Sequence, residues 1–137
     1  MPRIERVLES ALYVADMQRA VQFFEGVLGL SQMVSGERLT AFDAGAHGVL
    51  LVFKKGASNA DIPGKGGVVP GHDGSGPIHM AFAITAESYE EWKTHLGRHN
   101  VAIRSEVSWQ RGGRSIYFDD PDGHVLELAT PGLWANY

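Results

Sequence analysis

Three polar side chains stand where strands would normally place apolar ones. Glu127 lies in the middle of the apolar run 125–129, where a buried carboxylate is costly unless a partner compensates for its charge. Glu9 and His79 each stand early in a segment with strand alternation, on the face opposite its large apolar residues. Two carboxylates and one imidazole are a suitable ligand set for a divalent cation, whose charge would balance both glutamates. The first hypothesis is therefore a metal site formed by Glu9, His79 and Glu127.

The elements that must position these residues occur twice along the chain. A strand, a helix and three further strands are predicted in each half, and the predicted strands are 8–14, 30–34, 39–43 and 49–53, then 78–84, 101–107, 114–118 and 125–129. Asp16 is expected to cap the first helix, which should end before Gly29, and Ser88 with Glu91 has the spacing of a capping box for the second. The chain is therefore predicted to contain an internal βαβββ repeat.

The repeat aligns residues 9–16 with residues 79–86, so Glu9 and His79 take equivalent positions. The same alignment sets Leu51 against Glu127 on the last strands of the two modules. One module therefore keeps a carboxylate where the other has leucine. If the three polar side chains converge, the site has three protein ligands rather than four.

Residues 54–76 interrupt the repeat. This segment holds seven glycines and two prolines and few large apolar residues, a composition typical of a linker or a mobile loop. The expected organisation is one domain of 137 residues, with a first module at about 6–53, the linker 54–76, a second module at about 77–130 and a short C-terminal tail.

Composition excludes several classes of function. The net charge is −4 without a block of Lys or Arg, so a nucleic acid is not an expected partner. No apolar run has the length of a membrane span, and residues 1–5 lack the apolar core of a signal peptide. The absence of cysteine excludes disulfides, thiolate zinc sites and a cysteine nucleophile. We expect a cytoplasmic protein.

Three motifs together resemble the vicinal oxygen chelate superfamily, which includes glyoxalase I, fosfomycin-modifying enzymes, extradiol dioxygenases and bleomycin-resistance proteins. They are Val-Ala-Asp after the first strand, a Phe-Phe helix ending in Gly-Val-Leu-Gly-Leu, and Tyr-Phe-Asp-Asp-Pro-Asp-Gly-His-Val-Leu-Glu. The resemblance implies an α+β fold of two tandem βαβββ modules, whose mixed sheets curl around a metal-centred cavity. It also implies a site that many small members share across a homodimer.

The resemblance places the metal ligands at Glu9, His79 and Glu127, with open positions for a small substrate and water. The metal is left open among Mn, Fe, Zn and Ni. The fourth ligand of glyoxalase I would fall at Leu51, which argues against the ordinary glyoxalase I reaction. Ser115 and Tyr117 match the Ser-x-Tyr-Phe pattern of fosfomycin enzymes. Those enzymes normally carry His at the position of Glu9 and a basic residue after the last strand, so fosfomycin is not the expected substrate.

The leading hypothesis is a metal-dependent lyase, isomerase or dioxygenase acting on adjacent oxygen atoms of a small molecule. Glu9 or Glu127 is the expected base, and Tyr117 is expected to orient the substrate or to donate to an oxyanion. Tyr13, Ser115 and Arg114 are further candidates for contact with the substrate. The alternatives are a metal-free protein that sequesters a ligand, like the bleomycin-resistance members, a fosfomycin-type thiol transferase, and a purely structural metal.

The other histidines are assigned no chemistry. His124 is expected to be exposed in its turn and to have a structural role there. The remaining ones, at positions 47, 72, 95 and 99, are expected at the surface because they show no metal-ligand spacing.

Overall fold

Two units that each begin with the same strand-helix-strand-strand-strand order make up the chain. The computed structural model describes every residue, Met1–Tyr137, and its contacts divide into Met1–Ser75 and Gly76–Tyr137. The first unit contains β1 (Glu9–Val14), α1 (Met17–Gly26), β2 (Ser31–Val34), β3 (Leu39–Asp43), β4 (Val49–Lys54), β5 (Ile62–Gly64) and β6 (Gly67–Val69). The second contains β7 (His79–Ala83), α2 (Tyr89–Arg98), β8 (Ile103–Ser108), β9 (Arg114–Asp119) and β10 (Val125–Ala129).

Each unit is built on a four-stranded mixed sheet with the same topology. The strand order is β1-β4-β3-β2 in the first unit and β7-β10-β9-β8 in the second. In both sheets the first and last strands of the module pair in parallel, and the remaining neighbours are antiparallel. The predicted α+β class and the βαβββ repeat are confirmed.

The pairing register confirms the alignment between the modules. Glu9 lies opposite Val49 in the first sheet, and His79 lies opposite Val125 in the second. Two residues further along, Ala11 faces Leu51 and Ala81 faces Glu127. Glu9 and His79 are therefore equivalent, and so are Leu51 and Glu127.

The helices cover one face of each sheet because their apolar residues recur at helical spacing. In α1 the buried residues are Ala20, Phe23 and Phe24, and the Phe24 ring lies 5.8 Å from that of Phe42 on β3. In α2 the buried residues are Tyr89 and Leu96. Each large side chain buried in this way stabilises the fold by about 1.5–3 kcal/mol.

The two helices begin differently. Asp16 caps α1 as predicted, since its Oδ1 accepts a hydrogen bond from the Arg19 amide at 3.0 Å. The prediction of a capping box for α2 is wrong. Ser88 has φ −82° and ψ −3°, which is not the extended conformation of a residue whose side chain caps a helix. Its hydroxyl instead donates to the Thr85 carbonyl at 3.0 Å.

The end of α1 agrees with the sequence-based expectation, whereas the structure of residues 54–76 differs from it. The first helix ends at Gly26, and the chain leaves it through a turn in which Leu30 N–H bonds Phe24 C=O at 3.0 Å and Gly29 takes φ +70°. Within residues 54–76, β5 and β6 form a small antiparallel hairpin that the glycine-rich composition did not suggest. Neither helix has the length and apolar character needed to cross a membrane.

Candidate functional site

The carboxylate of Glu127 lies at the centre of the second sheet. Its strand, β10, is flanked by β7 and β9, and the residue is only 3% exposed. Oε1 accepts a hydrogen bond from the hydroxyl of the fully buried Ser115. The Trp109 indole N–H in turn donates to the Ser115 Oγ at 2.8 Å. A chain of two hydrogen bonds therefore fixes one oxygen of the carboxylate and leaves Oε2 to face other groups.

His79 faces that second oxygen. Its Nδ1 lies 2.8 Å from the Val125 carbonyl, and a carbonyl can only accept, so we assign the proton to Nδ1. Nε2 then carries a lone pair, and it lies 3.3 Å from Glu127 Oε2. Two acceptors face each other at this distance, an arrangement that requires a proton or a cation between them. The His79 side chain is about half exposed (53%), so this point is open to solvent.

The donor set fits a divalent metal. A histidine that donates one ring N–H to a backbone carbonyl and presents the other nitrogen is the usual metal-binding arrangement, and ligating carboxylates are likewise held by hydrogen bonds. His79 and Glu127 meet both conditions. Across the chain, however, no group of three or more His, Asp or Glu side chains is arranged to hold a metal. Glu9, the third predicted ligand, is an exposed residue of the first unit, so the three-ligand set stays a prediction.

Tyr117 is the cross-strand partner of Glu127. Its ring lies 6.1 Å from the His79 ring in a stacked orientation. Burial raises the pKa of the Tyr117 phenol, and the negative charge of Glu127 raises it further. The phenol is therefore protonated at neutral pH and acts as a hydrogen-bond donor rather than as a base.

Arg114 is not brought to this face of the sheet. Its guanidinium donates to Glu90 Oε1 at 2.9 Å and stacks 3.6 Å from the centre of the Tyr89 ring. Both partners belong to α2, so Arg114 lies on the helix side. Ser115 lies on the neighbouring strand β9, and its hydroxyl donates to the Glu127 carboxylate and accepts from Trp109. Its position is that of a residue that orients the carboxylate.

The first unit carries a cavity of about 460 Å³ at the equivalent sheet face. Glu9 and Tyr13 line it, and so does Leu51, the equivalent of Glu127. Two basic residues that sequence reasoning missed, Arg38 and His72, also line it. Arg38 could have been found from the repeat, because it precedes β3 as Arg114 begins the equivalent strand β9. No local signal marked His72.

The expectation that His124 is exposed is wrong. The residue is fully buried, its Nδ1 accepts the Ile78 amide at 3.2 Å, and its own amide donates to Asp120 Oδ1 at 2.8 Å. These bonds fix the turn between β9 and β10 against the start of β7. The histidine thus has the structural role predicted for it, but inside the fold.

A match to a family model assigns the chain to a superfamily. The model of the Glyoxalase/Bleomycin resistance protein/Dioxygenase superfamily matches residues 3–128. The chain belongs to this superfamily. Among its curated relatives, metallothiol transferase FosB of Staphylococcus saprophyticus is 31% identical, over 88% of this chain and 73% of its own length. The FosB of Bacillus licheniformis is 32% identical, over 88% of this chain and 72% of its own length.

Solved structures share the fold. The lactoylglutathione lyase of Agrobacterium tumefaciens superposes with a TM-score of 0.88 at 28% identity, over 98% of this chain and 99% of its own. The fosfomycin resistance protein FosX of Mesorhizobium loti superposes with a TM-score of 0.67 at 24% identity, over 96% of each chain, which shows the fold alone. The family model confirms the superfamily that the sequence motifs indicated, and these structures share its fold.

Proposed function

We propose that this protein is a metal-dependent enzyme of the superfamily that acts on adjacent oxygen atoms of a small substrate. The observation that carries the proposal is the facing pair in the second unit. His79 Nε2 and Glu127 Oε2 lie 3.3 Å apart while a carbonyl accepts the proton of Nδ1, so a bound cation would satisfy both acceptors in place of a proton between them. Glu9, the repeat equivalent of His79, is the third ligand in this proposal. It is supplied by the same chain or by a second copy in a homodimer.

The metal would act as a Lewis acid toward the substrate oxygens. The residues of the chain supply the rest. Ser115 and Trp109 keep the Glu127 carboxylate in one orientation. The Tyr117 phenol, which stays protonated, donates a hydrogen bond to a substrate oxygen on which charge develops. A carboxylate would act as the base only on leaving the metal, and Glu9 is the better placed of the two predicted bases, because it is exposed whereas Ser115 and His79 engage the two oxygens of Glu127.

The relatives favour a substrate that contains a thiol or a thiol adduct. Their names, metallothiol transferase and lactoylglutathione lyase, both describe thiol chemistry. Thiol transfer of the FosB type is thus the second candidate, and the Ser115–Tyr117 pair beside Glu127 favours it. Glu9, at a position where fosfomycin enzymes normally carry His, favours lyase or isomerase chemistry instead. Dioxygenase chemistry and metal-free ligand sequestration stay alternatives.

The test begins with the metal. Wild type, Glu127→Gln and Glu91→Gln are purified without chelator from cells supplied with Mn, Fe, Zn or Ni, and bound metal is measured by elemental analysis. Glu91, on the exposed part of α2, is a matched control for the loss of one carboxylate. We expect stoichiometric metal in wild type and in Glu91→Gln and its loss in Glu127→Gln. A wild type that holds no metal under any of these conditions would contradict the proposal and favour sequestration.

Activity then separates the reaction classes. The metal-loaded protein is assayed with a 2-oxoaldehyde plus glutathione or cysteine, with fosfomycin plus the same thiols, and with catechols and epoxides. Isomerisation of the thiol adduct supports lyase chemistry, consumption of fosfomycin supports thiol transfer, and catechol cleavage supports dioxygenase chemistry. Loss of activity on metal removal with an unchanged thermal midpoint would exclude a structural metal.

A further inference from the structure

The cavity of the first unit combines an apolar wall with two basic side chains. Its walls include Leu39, Leu51 and Phe53, and Arg38 and His72 contribute the basic groups. Pockets of this kind, apolar with a few polar groups in fixed positions, are the usual form of a small-molecule site. The volume, about 460 Å³, suits a ligand larger than a bare ion.

Arg38 has no carboxylate partner. Its Nη1 donates to the Ser58 hydroxyl at 2.7 Å, and its Cζ lies 5.9 Å from the Phe53 ring centre. The equivalent residue of the second unit, Arg114, is neutralised by Glu90 at 2.9 Å. A guanidinium has five N–H donors, and the Ser58 hydroxyl occupies only one end of it. Arg38 therefore presents a positive charge, fixed by a hydrogen bond and an aromatic ring, to the cavity.

Aromatic contacts hold His72 beside this charge. Its Nδ1 lies 2.8 Å from the Tyr13 hydroxyl, and its ring meets the Phe53 ring edge-on at 4.5 Å. The Phe53 ring also stacks on Tyr13 at 5.8 Å. With the tyrosine hydroxyl donating to Nδ1, which is our assignment, Nε2 carries the proton and becomes a further donor. The Ser58 carbonyl accepts the His72 amide at 2.8 Å, so one residue anchors both basic groups.

We propose that this cavity binds the anionic end of an elongated organic substrate, a carboxylate or phosphonate carried on an apolar body. Arg38 and His72 bind the anion, and Tyr13 and Phe53 pack against the body. Glu9 lines the same cavity four residues before Tyr13 on β1, which corresponds to about 13 Å along the strand. The inference rests on the proposed function in one respect: Glu9 is taken to be the metal ligand, so the reacting oxygens and the anionic end lie at opposite ends of the cavity.

Matched ligands and variants test the anion site directly. Metal-free protein is titrated with 3-phenylpropionate, with 2-phenylethylphosphonate and with the neutral 3-phenylpropionamide, and binding is followed by calorimetry or by NMR shifts. The proteins are wild type, Arg38→Gln and Arg104→Gln, in which an exposed arginine paired with Asp119 is lost. We expect wild type and Arg104→Gln to bind one or both anions about 10- to 100-fold more tightly than the amide, and Arg38→Gln to lose that preference. Whichever anion is preferred identifies the acidic group.

The result that overturns the inference is equally specific. Wild type that binds anion and amide equally, an Arg38→Gln variant that keeps the preference, or an Arg104→Gln variant that loses it would each contradict an anion site at Arg38. Measuring bound metal in separate preparations of the same variants, purified without chelator, keeps the two proposals apart. Arg38→Gln with full metal and unchanged anion preference refutes the anion site alone, whereas an anion-selective wild type without metal refutes the proposed metalloenzyme alone.

Discussion

The hydroxyl of Ser115 is the most informative single group to remove. It is fully buried, it donates to Glu127 Oε1 and it accepts from the Trp109 indole. Ser115→Ala removes one hydrogen bond to a charged and nearly buried carboxylate, which is worth about 1.5–3 kcal/mol. It also leaves the indole N–H without its acceptor, but Trp109 is 37% exposed and water can replace that bond at small cost. The expected loss in the free energy of unfolding is therefore about 1.5–3 kcal/mol.

The same substitution should weaken metal binding. Groups that orient a metal ligand contribute about 10- to 100-fold to affinity, so Ser115→Ala should raise the dissociation constant of the metal by that factor. Urea unfolding of the metal-free protein gives the first quantity, and competition with a chromophoric chelator gives the second. The exposed Ser108 on β8 provides the control, since Ser108→Ala should change neither.

One result would contradict the expected loss of stability, and another would contradict the expected loss of metal affinity. If Ser115→Ala unfolds at the same urea concentration as Ser108→Ala, then the hydroxyl does not stabilise the buried carboxylate. If stability falls while metal affinity is unchanged, then Glu127 is not a ligand whose orientation matters, and the proposed metal centre fails.

Two further predictions concern the cavity and the turn before β10. Gly74→Ala would place a Cβ only 2.5 Å from the Tyr13 ring, so we expect a loss of about 1–3 kcal/mol in unfolding free energy, measured in urea, whereas Gly66→Ala meets nothing within 4 Å and should behave as wild type. An equal effect of both alanines would contradict the contact. Burial raises the pKa of Asp120, so its deprotonation disfavours the folded state, and the stability of Asp120→Asn relative to wild type should rise as pH increases above about 4, the ordinary pKa of an aspartate. A difference that is constant with pH, measured by urea unfolding across that range, would show that Asp120 does not titrate differently on folding.

The sequence predicted the features that depend on local periodicity. Strand alternation gave the eight strands of the two sheets, and the repeat gave the equivalence of Glu9 with His79, which the pairing register confirms. The unusual position of the Glu127 carboxylate was also identified from the leucines on either side of it. These predictions succeed because a two-residue or 3.6-residue period is written in neighbouring residues and a sheet buries one of its faces.

The features that the sequence did not predict depend on contacts between residues that are far apart along the chain. Tyr13 and His72 are 59 residues apart, and Arg38 meets Ser58 across 20 residues. The burial of His124 depends on the Ile78 amide, 46 residues away. No periodicity encodes such pairs. The predicted capping box at Ser88 was wrong for a different reason. The spacing between Ser88 and Glu91 suits a capping box, but the amide and the hydroxyl of Ser88 both form hydrogen bonds with Thr85 instead.

The comparison of equivalent positions explains how one fold carries two kinds of surface. In the second unit, Ser115, Tyr117 and Glu127 share the face that also presents His79. The equivalent positions of the first unit are Leu39, Ala41 and Leu51, which are all apolar. The strand pairing is the same in both sheets, so the backbone alone specifies neither surface.

The two equivalent arginines also differ in whether a carboxylate neutralises their charge. Arg114 is neutralised by Glu90 on the helix side, whereas Arg38 keeps its charge and lines the apolar cavity with Glu9. The two modules thus differ at this sheet face in a charge partner, in the carboxylate of Glu127 and in the side chains around it, while their strand pairing is the same. The superfamily fold therefore does not determine the reaction. Substitutions of Glu127 and Arg38 test the function, whereas a further comparison of folds does not.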